Sequence, residues 1–539
     1  MKAISMSSTK HEGEMEGEID LDDQQHTKEI MRDPTEPWYH IESDMISSKF
    51  CYIFAGAKDA CHLPYMILFL TGIGLTSQQA GTINGLKFIA YILAAPAWGI
   101  LADQKRIHLL VGVLLCVCSF LMMVSQPFVA LPLWSKEVTQ QSITQNASTV
   151  NESVYQRGYQ GEYNTKKNES NLHKTRRAEE GREGNNQLFV LMMVWNIVAV
   201  CFDGAIAGFV DAGVMKRISS LTKRKVDFGS TRLFGAPGFG AGNLLSSAAI
   251  EYLNTDSFPP YTQIFFVYGF IVIGMMISLC SLYAKLRFSP EEQGSDIEEE
   301  ANLTTCDNEK VCLDNLTEDD VITKRGQNAK KSAISAKAGG AMNLLRKTLS
   351  KRSVLFFFAT ILFVGTVHAV YLSFLFVLLK EIKCPNFVMG LCMAVAAFSS
   401  MFGIKSSGTM IHLLGGTFPV LCLGTFTWCV RFLAYYFMIE PYIVLPVHLL
   451  HFFCFGMFVT TSAIHIRKTC APEIYSSMFG IFNGLFFGAG FVLGNVIGGN
   501  MVMEFGVRML FLVFSVASAL WTAIMLLYIF RRKCSGRHY

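Results

Sequence analysis

Charge is scarce in this chain of 539 residues, and what there is lies unevenly. Charged residues make up 16% of the sequence, where soluble domains carry about 25%. They crowd into a few segments, and the long stretches between have almost none. That is the pattern of helices in lipid joined by wet loops. No basic patch is interleaved with a soluble fold, so the net charge of +4 excludes rather than suggests a nucleic-acid partner. No two of the 15 cysteines stand in a CxxC pair, so no metal site is expected. Most lie in apolar runs, as Cys116, Cys118, Cys201, Cys422 and Cys454 do, where a thiol behaves as a small hydrophobe. Cys384 alone falls in a short loop, so no external disulfide is expected, and Cys534 after Arg531, Arg532 and Lys533 is a candidate for palmitoylation. HExxH, GxSxG and paired acidic motifs are missing from any setting that would use them, so neither an enzyme nor a cofactor is expected. No cleavable signal peptide is visible: the first 47 residues are polar and acidic, and the apolar run beginning near Phe50 would serve as an uncleaved anchor.

What is present is apolar length. Hydrophobic residues reach 51%, with a mean hydropathy of +0.35. A hydrocarbon layer about 30 Å thick takes roughly 20 apolar residues per helix, which predicts about twelve spans. The first three are read at Lys49–Leu70, Gly81–Leu101 and Ile107–Val129, the next three at Leu188–Gly213, Phe228–Ile250 and Gln263–Ala284. The second six are read at Val354–Leu379, Phe387–Ile404, Phe418–Met438, Tyr442–Ile466, Tyr475–Gly499 and Met509–Phe530. The organisation expected is a cytosolic N-terminus (1–47), a six-helix half (48–284), a cytosolic linker (285–350), a second half (351–530) and a cytosolic tail (531–539). The linker turns from acidic to basic along its length and reads as disordered, with its basic end near the inner leaflet.

Lysine and arginine in the short loops set the orientation. Lys105 and Arg106, the group Lys216, Arg217, Lys223, Arg224 and Lys225, and Arg467 with Lys468 mark one side as cytosolic. The loops 71–80 and 251–262 on the other side carry neither residue, and Lys380 and Lys383 are the main exceptions. Both termini are thus expected in the cytosol. The polar stretch 135–186 then lies outside, and its sequons make Asn146, Asn151 and Asn168 expected glycosylation sites, whereas Asn302 and Asn315 in the linker should stay bare.

The halves echo each other. Phe239-Gly240-Ala241-Gly242 recurs as Phe487-Gly488-Ala489-Gly490, each in the fifth helix of its half. Gly99-Ile100-Leu101-Ala102-Asp103 closes the second span, and Gly408-Thr409-Met410-Ile411-His412 follows the eighth. Gly235, Gly238 and Gly242 share a helix face and should let backbones pack closely, as should Gly480, Gly484 and Gly488 with Gly490, Gly494 and Gly498. Gly238-x-Gly240-x-Gly242 lacks the spacing, the preceding strand and the acidic partner of a dinucleotide loop.

An ionisable side chain at mid-depth is expensive and so marks function by default. The candidates are Lys58, Asp59, His62, Lys87 and Asp203 in the first half and His368, Arg431 and His451 in the second. Lys58 and His62 stand four apart and share a face, while Asp59 points about 100° away from Lys58, towards a different neighbour. These groups would line a central cavity, with Asp59 or Asp203 exchanging a proton and Lys58, Lys87 and Arg431 holding a solute or pairing with them. The competing reading makes them static pairs that fix helix packing, and for the histidines this is the better one. The second half offers no carboxylate at mid-depth, so carboxylate-driven coupling would belong to the first. Gly99, Asp103, Asp211 and Arg232 lie near cytosolic helix ends and read as gate residues.

The chain resembles the major facilitator superfamily domain-containing protein 6 family with its 6-like members, and more distantly bacterial nucleoside–proton symporters and lactose permease. The resemblance rests on Ala95-Pro96-Ala97-Trp98-Gly99 through Asp103, on Asp211 with Phe228-Gly229-Ser230-Thr231-Arg232-Leu233-Phe234-Gly235, and on Arg431-Phe432-Leu433 with Tyr435. Leu445-Pro446 with Leu450-His451, and Gly480-Ile481-Phe482-Asn483-Gly484-Leu485, complete it. Gly99-x-Leu-Ala-Asp103 is similar to the start of the superfamily signature between helices two and three, but Gln104 stands where a basic residue is usual and His412 replaces the aspartate in the second half. Members more often have tyrosine before Gly229, where Phe228 stands here, tryptophan where Phe234 stands and a carboxylate where His448 stands. The resemblance implies an all-α membrane protein of the major facilitator fold, two pseudo-symmetric halves of six helices. It implies a secondary transporter of a small polar solute working by alternating access, with protons as coupling partner and a monomeric state in the bilayer; the sequons and the lack of an obvious retention signal favour the plasma membrane over endosomal or lysosomal membranes. A non-transporting receptor or scaffold, acting through the polar loop and the linker, is the alternative.

Overall fold

Backbone in hydrocarbon finds no water to bond, so long apolar runs close their hydrogen bonds within themselves as helices. The computed structural model describes residues 45–105, 107–155, 163–219, 231–253, 257–287, 342–471 and 474–534, with backbone alone at 95, 103–105, 137–155 and 163–185. The chain divides into a unit Met1–Ile46, of which two residues are described, and a unit Ser47–Tyr539, which holds the architecture below. The described residues contain helices and no strand.

Helix α1 (Ile46–His62) leads through a tight 3-10 turn at Leu63–Tyr65 into α2 (Met66–Gly72). Pro64 causes the break, because it has no N–H to donate to the preceding turn. The first half continues with α3 (Ser77–Lys105), α4 (His108–Tyr155), α5 (Tyr163–Ser219), α6 (Gly235–Tyr252) and α7 (Gln263–Arg287). The second half has α8 (Arg352–Glu381), α9 (Asn386–Leu413) and α10 (Thr417–Phe437). Its tenth crossing is composite: a 3-10 turn Pro441–Ile443, α11 (Val444–Leu449), a π segment Phe452–Met457 and α12 (Phe458–Thr469). Next come α13 (Tyr475–Asn483), a second π segment Gly484–Ala489, and α14 (Gly490–Cys534).

Ten helical runs among the described residues have the length and apolar content of a membrane span. The last, Tyr475–Cys534, is 60 residues long and bends at Gly506, whose φ of 81° is open to glycine without strain, so it crosses twice. Helix α6 has 18 residues and is rich in glycine and serine; it supplies the twelfth crossing. The expected spans are all present, most of them longer than read. Helix α9 runs to Leu413, so Gly408–His412 forms its last turns instead of following it. The polar stretch 135–186 is largely helical backbone: α4 continues to Tyr155 and α5 begins at Tyr163, which puts Asn146, Asn151 and Asn168 on the polar extensions of these helices. Residues 288–341, with Asn302 and Asn315, and residues 220–230 lie outside the described residues.

The repeated tetrapeptide does the same work in both halves. A methyl group on Gly242 would strike the carbonyl of Ala57 in α1, and one on Gly490 would lie 2.8 Å from the backbone of Gly365 in α8. Gly242 and Gly490 thus bring the fifth helix of each half against the first. Gly240 meets Ala394 of α9 at 3.3 Å, and Gly488 meets Ile92 of α3, so the first glycine of the tetrapeptide faces the opposite half in both copies. Gly238 against Ile53 extends the expected glycine face of α6, and Gly494 against Thr366 and Gly498 against Phe374 extend that of α14.

Among the described residues, the contacts between the halves gather towards the face of the short turns 73–76 and 382–385. There Asn84 Nδ2 donates to Ser373 Oγ (3.0 Å) and to Asn495 Oδ1 (2.7 Å), and Tyr65 packs edge-on against Phe376. Asn386 Nδ2 donates to Glu251 Oε2 (2.7 Å) while its own Oδ1 accepts from Lys380 Nζ (2.7 Å). Gly81 and Gly499 sit backbone to backbone. Phe88 on Phe491 (4.6 Å between centroids) and Ile92 at Gly488 lie deepest among these contacts. Towards the opposite face, where α3 and α7 end and α8 begins, Gly99, Gly408, Gly480 and Gly484 have open space where a side chain would project.

Candidate functional site

The first-half candidates converge on one carboxylate. Asp203 of α5 is 5% exposed and Lys58 of α1 is 1% exposed. Lys58 Nζ donates to Asp203 Oδ1 at 2.7 Å, and the same oxygen accepts from Tyr268 of α7 (2.5 Å) and from Ser119 of α4 (3.3 Å). Tyr268 and Ser119 are also hydrogen-bonded to each other. Four helices of the first half therefore meet at Asp203, whose charge is both paired and hydrogen-bonded, the condition for keeping it in a low-dielectric interior. Lys58 Nζ also donates to Asp59 Oδ1 at 2.7 Å. The expectation that Asp59 would look to a different neighbour is corrected here: the flexible lysine stem swings back to its own sequence neighbour. The Asp59 side chain keeps 41% of its surface open although it sits midway along a helix buried in the bundle.

His62 Nδ1 donates to the Lys58 carbonyl (2.9 Å), and its ring meets Tyr268 edge-on. The His62 ring thus meets Lys58 at its backbone, one helical turn back, and not at its ammonium group. Lys87 of α3 is 1% exposed. Its ammonium group lies 5.7 Å from the centre of the Phe88 ring, has no hydrogen-bond partner among the described residues, and feels the charges of Asp203 and Asp59.

The second-half candidates form a different kind of cluster. Arg431 of α10 is wholly buried. Its Nε donates to Tyr435 Oη (2.6 Å) and its Nη1 to His451 Nδ1 (2.7 Å). A guanidinium can only donate, so His451 carries its proton on Nε2. The plane of Arg431 lies 4.1 Å from the Tyr371 ring centre and 5.2 Å from that of Trp428. His368 stacks on Phe455 (4.7 Å, 16°) and lies 5.9 Å from His451 and 5.8 Å from Trp428. His448 donates from Nδ1 to the Val444 carbonyl (2.7 Å) and packs on Tyr371 and Tyr435. No carboxylate contacts this cluster among the described residues. The π segment Phe452–Met457 delivers Phe455 into it, and the π segment Gly484–Ala489 delivers Phe486, 5.6 Å from His368; such bulges recur at functional sites.

The structure thus brings the eight mid-depth candidates into two groups, one per half. Of the expected gate residues, Asp211 accepts from Tyr52 Oη (2.6 Å) and lies 3.7 Å from Arg232, a contact within the first half that does not bridge the two. Gly99 stands in open space, and the Asp103 side chain lies outside the described residues. The sequence reading missed Ser119, Tyr268, Tyr371, Trp428 and Phe455, and noted Tyr435 only as part of a family pattern and His448 only as a departure from it. Their one signal was polar or aromatic character inside apolar runs, which many inert positions share. Cys384 is buried and free, and burial pushes its thiol up to about 11.

Comparison with known proteins agrees with this architecture. Human major facilitator superfamily domain-containing protein 6-like is 26% identical over 168 residues, 31% of this chain and 28% of that protein. The mouse protein of the same name is 28% identical over 192 residues, 36% of this chain and 32% of that one. The aligned part spans under a third of the length of these relatives. The crystal structure of the nucleoside transporter NupG superposes with a TM-score of 0.59 at 12% identity, covering 90% of this chain and 98% of that one, a likeness of fold. The family described as MFS_1 like matches residues 45–513. With two six-helix halves joined on one face and the match running through both, the chain is a multi-pass membrane protein that belongs to the MFS_1 like family of the major facilitator fold.

Proposed function

We propose that the chain is a secondary active transporter that moves a small polar solute by alternating access, coupled to protons at the Lys58–Asp59–Asp203 cluster. The observation that carries this reading is the placement of Asp59. Its side chain is 41% open midway along α1, yet bonded to the same Lys58 ammonium that holds the buried Asp203. A carboxylate left open in this way can exchange a proton, and Lys58 can pass from Asp59 to Asp203 alone when Asp59 is neutralised. Rocking the halves would open the glycine-lined, hydrogen-bonded face and close the other. The basic loops support an orientation with the open face and both termini in the cytosol, and the sequons at Asn146, Asn151 and Asn168 support glycosylation outside and action at the plasma membrane.

Purified protein in liposomes tests this directly. Nucleosides, which NupG carries by its name, sugars and small organic anions are offered under an imposed pH gradient. Saturable uptake that collapses with the gradient, and that becomes gradient-independent in Asp59→Asn, is expected. Uptake that ignores both the gradient and the Asp59→Asn substitution would overturn the coupling.

A further inference from the structure

The charges of the two clusters do not cancel. Lys58, Lys87 and Arg431 contribute three positive charges, Asp59 and Asp203 two negative ones, and the remaining +1 resides in the second half, where Arg431 has no acid beside it. An arginine cannot lose its proton to relieve this, and a bare charge at this depth is costly. The same cluster holds four polar atoms without a hydrogen-bond partner among the described residues: Arg431 Nη2, Trp428 Nε1, His368 Nδ1 and His448 Nε2. Their side chains are 7% exposed or less and belong to one continuous set of ring contacts. Two are obligatory donors, and His368 can become a third by choice of tautomer. Lys87, whose ammonium group also lacks a hydrogen bond among the described residues, feels the charges of two aspartates; Arg431 has no carboxylate beside it among the described residues.

We propose that the Arg431 cluster binds the charged end of a monovalent organic anion, a carboxylate on a flat apolar body, and that this is the solute carried. The assignment rests on the transport reading above and adds the solute's class. A carboxylate offers planar lone pairs to Arg431 Nη2 and Trp428 Nε1 and supplies the missing charge. The body lies along the aromatic wall from His368 and Phe455 through Phe486 and Phe491, which leads to Phe88 of the other half. Arg431 is closed off in this structure, and the wall that covers it is built on the π segment carrying Phe455.

The test uses three probes of one shape: benzoate, benzamide and benzylamine. Binding to the purified full-length chain is followed by calorimetric titration and by thermal unfolding, without any flux. Benzoate is expected to bind saturably and raise the unfolding temperature, with benzamide and benzylamine at least ten-fold weaker. In Arg431→Gln the preference for benzoate over benzamide should vanish. Should that variant fail to fold, Trp428→Phe is expected to weaken benzoate several-fold while leaving benzamide unchanged. Equal binding of benzoate and benzamide by the wild type, or an undiminished preference in Arg431→Gln, overturns the proposal. Liposome flux separates the two readings. Benzoate binding that never becomes gradient-driven uptake sinks benzoate-class transport, including the claim about the carried solute, while the transport reading still stands on other solutes. Gradient-driven uptake of a neutral solute with no benzoate binding sinks the anion site and keeps the transporter.

Discussion

At the scale of single residues, the first half is held by a buried charge pair that its surroundings satisfy. Removing one partner from such a pair costs about 3–5 kcal/mol, whereas removing both is far milder. Asp203→Asn is therefore expected to lower the unfolding temperature clearly, and Lys58→Met added to it should restore part of the loss. Scanning calorimetry of the two variants and their combination checks this, and strictly additive losses would contradict the pairing. Cys384 gives a prediction about pH. With the thiol raised to about 11, its thiolate is rarer at neutral pH than that of an ordinary cysteine. Maleimide labelling at Cys384 should be slow at pH 7 and accelerate up to about pH 11, while exposed Cys534 labels readily at pH 7; peptide mass spectrometry reads both. Lys58, Lys87, Asp203 and Arg431 were legible in the sequence because charge stands out in an apolar run. Their partners were not. Tyrosine, serine and tryptophan are tolerated throughout a membrane helix, and nothing along the chain says that Tyr268 reaches Asp203 or that Trp428 lies against Arg431.

At the scale of helices, the tetrapeptide repeat was legible and its meaning is spatial: the same two glycines face the same two neighbours in each half. Overpacking a tight contact typically costs about 1–3 kcal/mol. Gly242→Val and Gly490→Val should both fall in this range, measured as shifts in thermal unfolding, because each meets backbone that cannot give way. Gly484→Ala meets nothing in this state and should be neutral or slightly stabilising, since alanine is the better helix former. Helix ends were the least legible part. Hydropathy registers the hydrocarbon layer and stops there, whereas α4, α5 and α9 continue as helices beyond it. The π segments left no signature that periodicity could read.

At the scale of the molecule, the halves form a hinge closed on one face. The Cβ of a residue placed at Gly240 would lie 3.4 Å from that of Ala394, close to the separation a disulfide needs. Gly240→Cys with Ala394→Cys should therefore crosslink under mild oxidation, keep the halves joined on a non-reducing gel after cleavage at a protease site placed within 288–341, and abolish uptake until reduced. Gly99→Cys with Gly480→Cys should not crosslink in the same state. Fold and symmetry were readable from spacing; the state was not, because a two-state hinge has one sequence for both. The unbalanced charge has a consequence of its own. A membrane potential acts on any charge whose aqueous access switches sides, by about 2.3 kcal/mol per elementary charge per 100 mV. Empty, with Asp59 ionised, the two clusters carry one net positive charge into each turn of the hinge; a monoanion bound before Asp59 takes up its proton cancels it. A cell interior held negative would then draw the empty protein to its cytosol-facing form and leave the anion-loaded, unprotonated one indifferent, so at a pH that keeps Asp59 ionised a voltage step should evoke a brief gating-like current that a saturating anion silences.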